Sequence, residues 1–147
     1  MIDKKHIGHT FPPVTLSVEE GRLNFFAKTL GEKRDIYTNL DFAKKEDLPG
    51  ILAPPTFPFL LEIDSMELFD LVTFLGESLE KLLHGEENFV YHNPIYSGDK
   101  ITVHKKISNI IDKKDGALQF VIFDNNFTNQ DGLIVAETTT NYIFKHK

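Results

Sequence analysis

The amino-acid sequence predicts an α+β domain. Three observations support this: an apolar pattern with helical spacing near the N-terminus, an apolar, proline-containing segment in the middle, and alternating apolar residues in the last third. Helices that precede a run of consecutive strands are typical of α+β proteins. Because 147 residues are enough to bury the core of one domain, we expect a single domain over residues 1–147.

The first helix is predicted by a capping pattern followed by apolar residues at helical spacing. Ser17-Val18-Glu19-Glu20 fits a capping box, in which the Ser hydroxyl accepts from a helical amide and a Glu reaches back. Apolar residues then recur three or four positions apart until Gly31 ends the pattern: Leu23, Phe26, Ala27 and Leu30. The following segment, 32–50, is polar and irregular, and we expect at most one helical turn there, at 42–47.

Two alternative helices fit the apolar central segment. The paired prolines Pro54 and Pro55 exclude a helix before them, although proline is tolerated where a helix starts. One helix would take Ser65 as its N-cap and bury Leu68, Val72, Leu75, Leu79 and Leu82. The other would start at Thr56 and bury Phe57, Leu60, Leu61 and Met66. Periodicity alone leaves both alternatives open.

The last third of the chain predicts a meander of at least three antiparallel strands. Apolar residues alternate over 100–111, 118–127 and 133–144, and these segments are rich in residues that favour strands. The connecting segments 113–116 and 129–132 each end in glycine, as tight turns between antiparallel strands often do.

Composition excludes several classes of function. The net charge of −6 argues against a nucleic-acid-binding protein, which needs a basic surface. The absence of cysteine excludes disulfides, thiol nucleophiles and Cys-ligated zinc. The sequence has neither a nucleophile elbow nor a phosphate-binding glycine loop, so we expect no cofactor. No apolar run is long enough for a secretory signal or a membrane helix, which predicts a cytoplasmic protein.

Histidine and phenylalanine are the residue types that could take part in catalysis or in binding an apolar ligand. The six histidines lack the spacing of metal ligands, so we expect no metal site. His84 and His92 are the best placed for chemistry, near Glu86, Glu87 and Tyr91, whereas His104 lies between polar residues of a strand and is expected to face solvent. The 13 phenylalanines suit either a core or a groove for an apolar ligand. Composition and spacing do not identify the ligand.

Three segments together resemble the N-terminal dehydratase-like domain of the MaoC family. They are residues 31–43, which end in Asp41-Phe42-Ala43, residues 52–57 with the sequence Leu-Ala-Pro-Pro-Thr-Phe, and residues 83–95, followed by Gly98-Asp99. This family includes R-specific enoyl-CoA hydratases and 3-hydroxyacyl thioester dehydratases. The resemblance implies a hot-dog fold, an antiparallel sheet wrapped around a central helix, which usually dimerises edge to edge. It favours the central helix that starts near Thr56 and makes residues 83–93 mainly strand.

The chain departs from the family at the catalytic residues. Active members use an Asp and a His in the motif D-x-N-P-[LI]-H, with a small residue six positions after the His. Counted back from Ala43, Tyr37 stands at the His position and Glu32 at the Asp position. A phenol, with a reference pKa near 10, is a poor substitute for imidazole in moving a proton near neutral pH. The catalytic residues of this chain therefore stay unknown.

The resemblance also offers an explanation for this departure. In heterodimeric and double-hot-dog members, one half carries the Asp and His and the other half shapes the acyl tunnel. We hypothesise that this chain is the acyl-binding half of an (R)-3-hydroxyacyl thioester dehydratase or enoyl-thioester hydratase, with CoA or acyl-carrier protein as the carrier and a MaoC-type chain as the catalytic partner. The alternative is a non-catalytic acyl-thioester-binding or structural homodimer. A thioesterase is disfavoured, because no suitably placed acidic residue opens the central helix.

The resemblance names the residues expected at the substrate. Pro54, Pro55, Thr56 and Phe57 would line the groove, and the backbone amides of Thr56 and Phe57 would donate to the thioester carbonyl. Glu86 and Tyr91 are expected to make further polar contacts.

Overall fold

The computed structural model describes residues 1–146 and contains five helices and five strands over that range. The helices are α1 (Glu20–Thr29), α2 (Asp35–Thr38), α3 (Leu40–Lys45), α4 (Phe57–Asp64) and α5 (Leu68–Phe74). The strands are β1 (Val14–Ser17), β2 (Leu82–Tyr91), β3 (Lys100–Lys113), β4 (Leu118–Thr128) and β5 (Ile134–Lys145). Short 3₁₀ turns lie at Lys4–His6 and Leu79–Lys81.

All five strands form one antiparallel sheet in the order β1-β3-β4-β5-β2. The consecutive strands β3, β4 and β5 are the predicted meander, and β2 pairs with β5 at one side of it. The strand predicted at 83–93 from the resemblance is therefore confirmed as β2. Within residues 1–146 no strand pairs with the outer side of β2, so this ten-residue strand is a free edge of the sheet.

The central helix α4 starts after Thr56, as the resemblance favours, with Pro58 in its first turn. Phe57 and Leu61 point into the core, where they are buried. The other alternative is partly right, because α5 buries Leu71 and Val72, but this second helix starts after Glu67 and not after Ser65. An antiparallel sheet around a central helix is the predicted hot-dog arrangement.

The predicted capping box at residues 17–20 is wrong. Ser17 is the last residue of β1 and pairs with Lys100, and the amide of Val18 donates to the Asp99 carbonyl over 2.8 Å. Helix α1 starts only at Glu20, and the side chain of its N-cap, Glu19, makes no capping bond. Sheet pairing therefore overrides the local signal. The predicted end of the helix is confirmed, because Gly31 adopts a φ of +70°.

A row of polar side chains crosses the inner face of the sheet. Lys105 on β3 pairs with Asn125 on β4, which pairs with Thr138 on β5, and Thr140 lies two residues further along the same face. Glu62 of α4 meets this row, and its side chain is fully buried. We call these five residues the polar belt. It lies between two apolar clusters, one around Phe57 and Ile101 and the other around Leu71 and Phe123.

The other four members of the polar belt all donate to the Glu62 carboxylate. Lys105 Nζ lies 3.4 Å from Oε1, while Asn125 Nδ2, Thr138 Oγ1 and Thr140 Oγ1 lie 2.9, 3.2 and 2.6 Å from Oε2. Burial lowers the pKa of the Lys105 ammonium, and the Glu62 charge opposes this effect. A charge removed from water requires such partners, so the belt fixes α4 at one position on the sheet.

We expect Lys105→Met to lower the free energy of unfolding by about 3–5 kcal/mol, because it leaves the Glu62 carboxylate buried without a counter-charge. Urea denaturation followed by circular dichroism measures this. Lys106→Met, at the exposed neighbouring position, is the matched control and should change the value by less than about 0.5 kcal/mol. The double variant Glu62→Leu/Lys105→Met should recover most of the loss. Equal effects of Lys105→Met and Lys106→Met would contradict a stabilising role of the belt.

Candidate functional site

A cavity of about 350 Å³ opens between the start of α4, the end of β2 and the start of β5. Four of the eight residues that the resemblance places at the catalytic and substrate positions line it: Tyr37, Pro54, Pro55 and Tyr91. The remaining lining is mainly apolar and comprises Leu52, Ala53, Pro58, His92, Asn93, Pro94, Ile95, Val135 and Ala136. The structure thus brings together the loop before the central helix and the end of β2. The Tyr91 hydroxyl donates to the carbonyl of Pro55, which lies 36 residues earlier in the chain.

The other four of these eight residues, Glu32, Thr56, Phe57 and Glu86, do not line this cavity. Phe57 is fully buried in the core, and its amide donates to the Pro54 carbonyl over 2.9 Å, so the prediction that this amide is available to a ligand is wrong. Glu86 lies on the outer face of the sheet, where Asn141 Nδ2 donates to its carboxylate over 2.8 Å. The amide of Thr56 has no acceptor within residues 1–146.

Tyr37 and Glu32, which the resemblance aligns with the family's His and Asp, both contact Arg34. Tyr37 lines the cavity and is only 8% exposed, with the Arg34 guanidinium 4.8 Å from its ring centroid. The Glu32 carboxylate instead accepts from Arg34 Nε over 3.0 Å and from the amides of Lys33 and Arg34. These hydrogen bonds lower the pKa of Glu32 to about 2. Such a carboxylate is a weak base with its lone pairs engaged, so Glu32 and Tyr37 do not form a proton-transfer pair.

One imidazole lines the cavity, and it contacts a carboxylate that the sequence analysis missed. His92 Nε2 lies 2.7 Å from Glu137 Oε2 on β5. The neighbouring Tyr91 hydroxyl donates to the Pro55 carbonyl over 2.8 Å, and burial raises the pKa of this phenol. Glu137 is 45 residues from His92 in the chain, and only the pairing of β2 with β5 brings the two together. No local sequence signal could have linked them.

A second cluster of titratable groups lies where the polar belt reaches the free edge. The Glu87 side chain points inward from β2 and is only 9% exposed. Its Oε2 lies 3.2 Å from His84 Nε2, and its Oε1 is buried without a hydrogen-bond partner among the described residues. The His84 ring stacks on Phe59 of α4, with centroids 4.8 Å apart. Burial, and then the negative charge of Glu62, raise the pKa of Glu87 to about 7.

Two other depressions lie on the surface. One, of about 530 Å³, is lined by Leu16 and residues of the segment 63–79. The other, of about 390 Å³, is lined by residues 17–20 with Leu40, Pro49, Ser97 and Gly98. Neither contains a residue that the sequence analysis singled out for a ligand. Within residues 1–146, no three His, Cys, Asp or Glu side chains are grouped as metal ligands. No helix in that range is long and apolar enough to cross a membrane, and the cytoplasmic location stays a prediction.

Comparisons with known proteins bear on the family and the fold of this chain. The family model of the FAS1-like dehydratase domain region matches residues 5–138. A UPF0336 protein of Streptomyces coelicolor is 32% identical over 111 residues, which are 74% of this chain and 73% of that protein. The structure of the C-terminally truncated HadBC (3R-hydroxyacyl-ACP dehydratase) complex of Mycobacterium tuberculosis superposes with a TM-score of 0.80 at 21% identity, over 94% of this chain and 96% of that one.

A MaoC-like dehydratase from Rhodospirillum rubrum also superposes, with a TM-score of 0.70 at 18% identity, over 96% of this chain and 93% of that one. At these identities the solved structures bear on the fold alone. They confirm the predicted hot-dog fold, and together with the family model they confirm the predicted MaoC-like character of the domain.

We expect the stability of the protein to fall as the pH rises from about 4.5 to about 7, and Glu87→Gln to remove this part of the decrease. Because the pKa of Glu87 is raised from 4.5 to about 7 in the folded chain, the folded state binds more protons than the unfolded state in that window. At pH 8 the variant should be about 1–2 kcal/mol more stable than the wild type, a value discounted for solvent screening at the edge. At pH 4.5 the two should be equal.

Urea denaturation at a series of pH values measures this difference. Glu86→Gln, a change of the same kind on the outer face of the same strand, is the control and should leave the pH profile of stability parallel to that of the wild type. If Glu87→Gln and the wild type keep a constant difference from pH 4.5 to pH 8, Glu87 is not held neutral in the folded chain.

Proposed function

The chain belongs to the FAS1-like dehydratase domain family, and from this premise we propose that it is the acyl-binding subunit of a dehydratase or hydratase acting on (R)-3-hydroxyacyl or enoyl thioesters. One observation carries the proposal. The mainly apolar cavity is lined by Tyr37, which the resemblance aligns with the family's His, whereas Glu32, which it aligns with the Asp, lies outside the lining and is engaged by Arg34. The cavity offers a place for an acyl group, and the two residues aligned with the family's Asp and His form no proton-transfer pair beside it.

The cavity suits an acyl chain because its polar groups are few and already bonded. Tyr91 donates to Pro55, and Asn93 Nδ2 donates to the Ile134 carbonyl over 2.7 Å. Burial of apolar ligand surface against the prolines and aliphatic side chains would contribute about 25 cal/mol for each Å² removed from water. Binding would therefore depend mainly on the length and shape of the acyl group.

The start of α4 offers one donor for the thioester carbonyl. Pro54, Pro55 and Pro58 have no N–H, and the amide of Phe57 already donates to Pro54. The amide of Thr56, which follows Pro55 of the cavity wall, has no acceptor within residues 1–146, so we assign this group alone the role that the sequence analysis gave to Thr56 and Phe57. A donor aimed at the carbonyl oxygen would stabilise the negative charge that develops there when the α-proton leaves.

The chemistry would come from a partner chain. In dehydration, a base removes the proton from C2 while the hydroxyl on C3 takes a proton and leaves as water, and a C2=C3 double bond forms. A MaoC-type partner with the motif D-x-N-P-[LI]-H would supply both groups. Two facts support a partner: the structurally similar HadBC protein is a complex, and β2 of this chain is a free sheet edge of ten residues.

A second candidate is favoured by His92 and Glu137. A histidine oriented by a carboxylate at 2.7 Å is a common arrangement for a general base, and His92 lines the cavity. In this case the chain would hydrate enoyl thioesters by itself. The remaining alternative from the sequence, a non-catalytic thioester-binding or structural homodimer, predicts no turnover with any partner.

We expect Ala53→Leu to weaken the binding of crotonyl-CoA about tenfold or more, because the larger side chain occupies the apolar cavity where Ala53 lines it. Isothermal titration calorimetry measures this. Ala117→Leu, in the turn between β3 and β4, is the matched control and should bind as the wild type does. Equal binding by Ala53→Leu and the wild type would exclude this cavity as the acyl site, and failure of the wild type to bind any acyl thioester would exclude the proposal.

We expect hydration of crotonyl-CoA to require a second chain. A mixture with a MaoC-type chain that carries D-x-N-P-[LI]-H, encoded beside this one, should exceed the summed activity of the separate chains about a hundredfold or more, and replacement of the partner's Asp or His should abolish the gain. Loss of absorbance of the enoyl thioester measures the rate. Full activity of this chain alone would contradict the proposal, and loss of that activity in His92→Gln would then establish the second candidate.

A further inference from the structure

We infer that the Tyr37 hydroxyl is a specificity-determining group of the cavity: it hydrogen-bonds a hydroxyl on C3 of the bound thioester, so that this chain binds the 3-hydroxyacyl form more tightly than the enoyl or the saturated form. The inference rests on the proposed function, because it selects between the two thioester forms that the proposal leaves open. A buried hydroxyl without a partner, a ring held in place and a nearby donor for the thioester carbonyl support it.

Tyr37 is the exception among the polar side chains that line the cavity. The other three, Tyr91, His92 and Asn93, each make a hydrogen bond of 2.7–2.8 Å to a neighbouring residue. Within residues 1–146 the Tyr37 hydroxyl makes none, although Tyr37 is only 8% exposed. Buried hydroxyl groups normally have a partner, so an unpaired one on the wall of a cavity indicates that a ligand supplies it.

The Tyr37 ring is held in place by Arg34. The Arg34 guanidinium lies 4.8 Å from the ring centroid, and the amide of Tyr37 donates to the Arg34 carbonyl over 3.0 Å. Arg34 is itself fixed, because the Glu32 carboxylate accepts from its Nε and its backbone amide, both over 3.0 Å. A ring fixed before the ligand arrives presents its hydroxyl without a further loss of conformational freedom on binding.

Tyr37 also borders the loop that carries the donor proposed for the thioester carbonyl. The amide of Leu52 donates to the Ile36 carbonyl over 3.0 Å, which joins α2 to the start of the proline-containing loop. Pro55, which precedes Thr56, lines the same cavity as Tyr37. The third carbon of an acyl group is only two bonds from the carbonyl carbon. A ligand whose carbonyl accepts from the Thr56 amide would therefore place C3 in the part of the cavity that Tyr37 borders.

Of the three acyl forms, the 3-hydroxyacyl form matches this arrangement. Its hydroxyl can donate and accept, as the phenol of Tyr37 can. The enoyl and saturated forms have no polar group on C3, so they would cover the Tyr37 hydroxyl and leave it without a partner. A site that hydrogen-bonds a hydroxyl of its ligand rejects the analogue that lacks it, because the buried polar group then stays unpaired. The contacts with the prolines and the aliphatic side chains of the cavity do not depend on this hydroxyl.

Isothermal titration calorimetry of the chain alone with three CoA thioesters tests the preference. The ligands are (R)-3-hydroxybutyryl-CoA, crotonyl-CoA and butyryl-CoA, which share the carrier and the four-carbon chain. We expect the wild type to bind the hydroxyacyl thioester about fivefold or more tighter than either of the others, since one neutral hydrogen bond is gained.

Two tyrosine variants assign the preference to one hydroxyl. Tyr37→Phe should bind all three thioesters equally, and butyryl-CoA at least as tightly as the wild type does. Tyr91→Phe is the matched control in the same cavity. Because the Tyr91 hydroxyl already donates to Pro55, its loss should change the three affinities by the same factor and keep their ratios. Circular dichroism verifies that both variants fold, and the wild-type comparison tests the preference even if one does not.

The outcomes separate this inference from the proposed function. Failure of the wild type to bind any of the three thioesters would refute the proposed function. Equal binding of all three by the wild type would leave that function standing and overturn the role of Tyr37. A preference that Tyr37→Phe retains, or that Tyr91→Phe also loses, would overturn it as well. A preference for the hydroxyacyl thioester that only Tyr37→Phe abolishes supports the inference.

Discussion

The fold depends on one buried carboxylate, Glu62, which holds the central helix to the sheet. Four donors from three strands converge on its two oxygens, and the shortest of these bonds, from Thr140 Oγ1, is 2.6 Å. Apolar contacts alone would allow α4 to rotate or slide with little change in buried area, since such contacts are not directional. Glu62 removes this freedom, because a shift of the helix would leave a charge without partners in the core.

The position of α4 in turn determines the surroundings of both the cavity and the free edge of β2. With Glu62 over the belt, the first turn of the helix lies at the cavity, where Pro55 and Pro58 form part of the wall. One turn before Glu62, Phe59 reaches the free edge and stacks on His84. The cavity and the acidic edge are therefore not independent features. Both depend on the position of α4, which Glu62 fixes. A change in the polar belt would therefore alter both.

Much of the fold could be predicted from local patterns, because alternation and turn residues define β3 to β5 without reference to the rest of the chain. The polar belt could not. Lys105 stands between His104 and Lys106 and reads as part of a solvated strand, yet it is buried while its two neighbours are exposed. Its partner is 43 residues away, and Asn125 and Thr140 are 63 and 78 residues from Glu62. Only the strand order brings these groups together. The prediction of a capping box at Ser17 is wrong for a related reason, because Ser17 pairs with β3 and its backbone is part of the sheet.

Some features of the candidate site could likewise be predicted from neighbouring residues in the sequence, and others could not. The resemblance singled out Pro54, Pro55 and Tyr37, and in the structure all three line one cavity. The state of Glu32 is also local, because Arg34 lies two residues on and lowers the pKa of that carboxyl to about 2. Glu87 is different, because burial, and then the negative charge of Glu62 from another element, raise its pKa to about 7. The chain thus holds one carboxylate of lowered pKa, at Glu32, and one of raised pKa, at Glu87 on the inner face of the sheet edge, and only the first could be anticipated from neighbouring residues in the sequence.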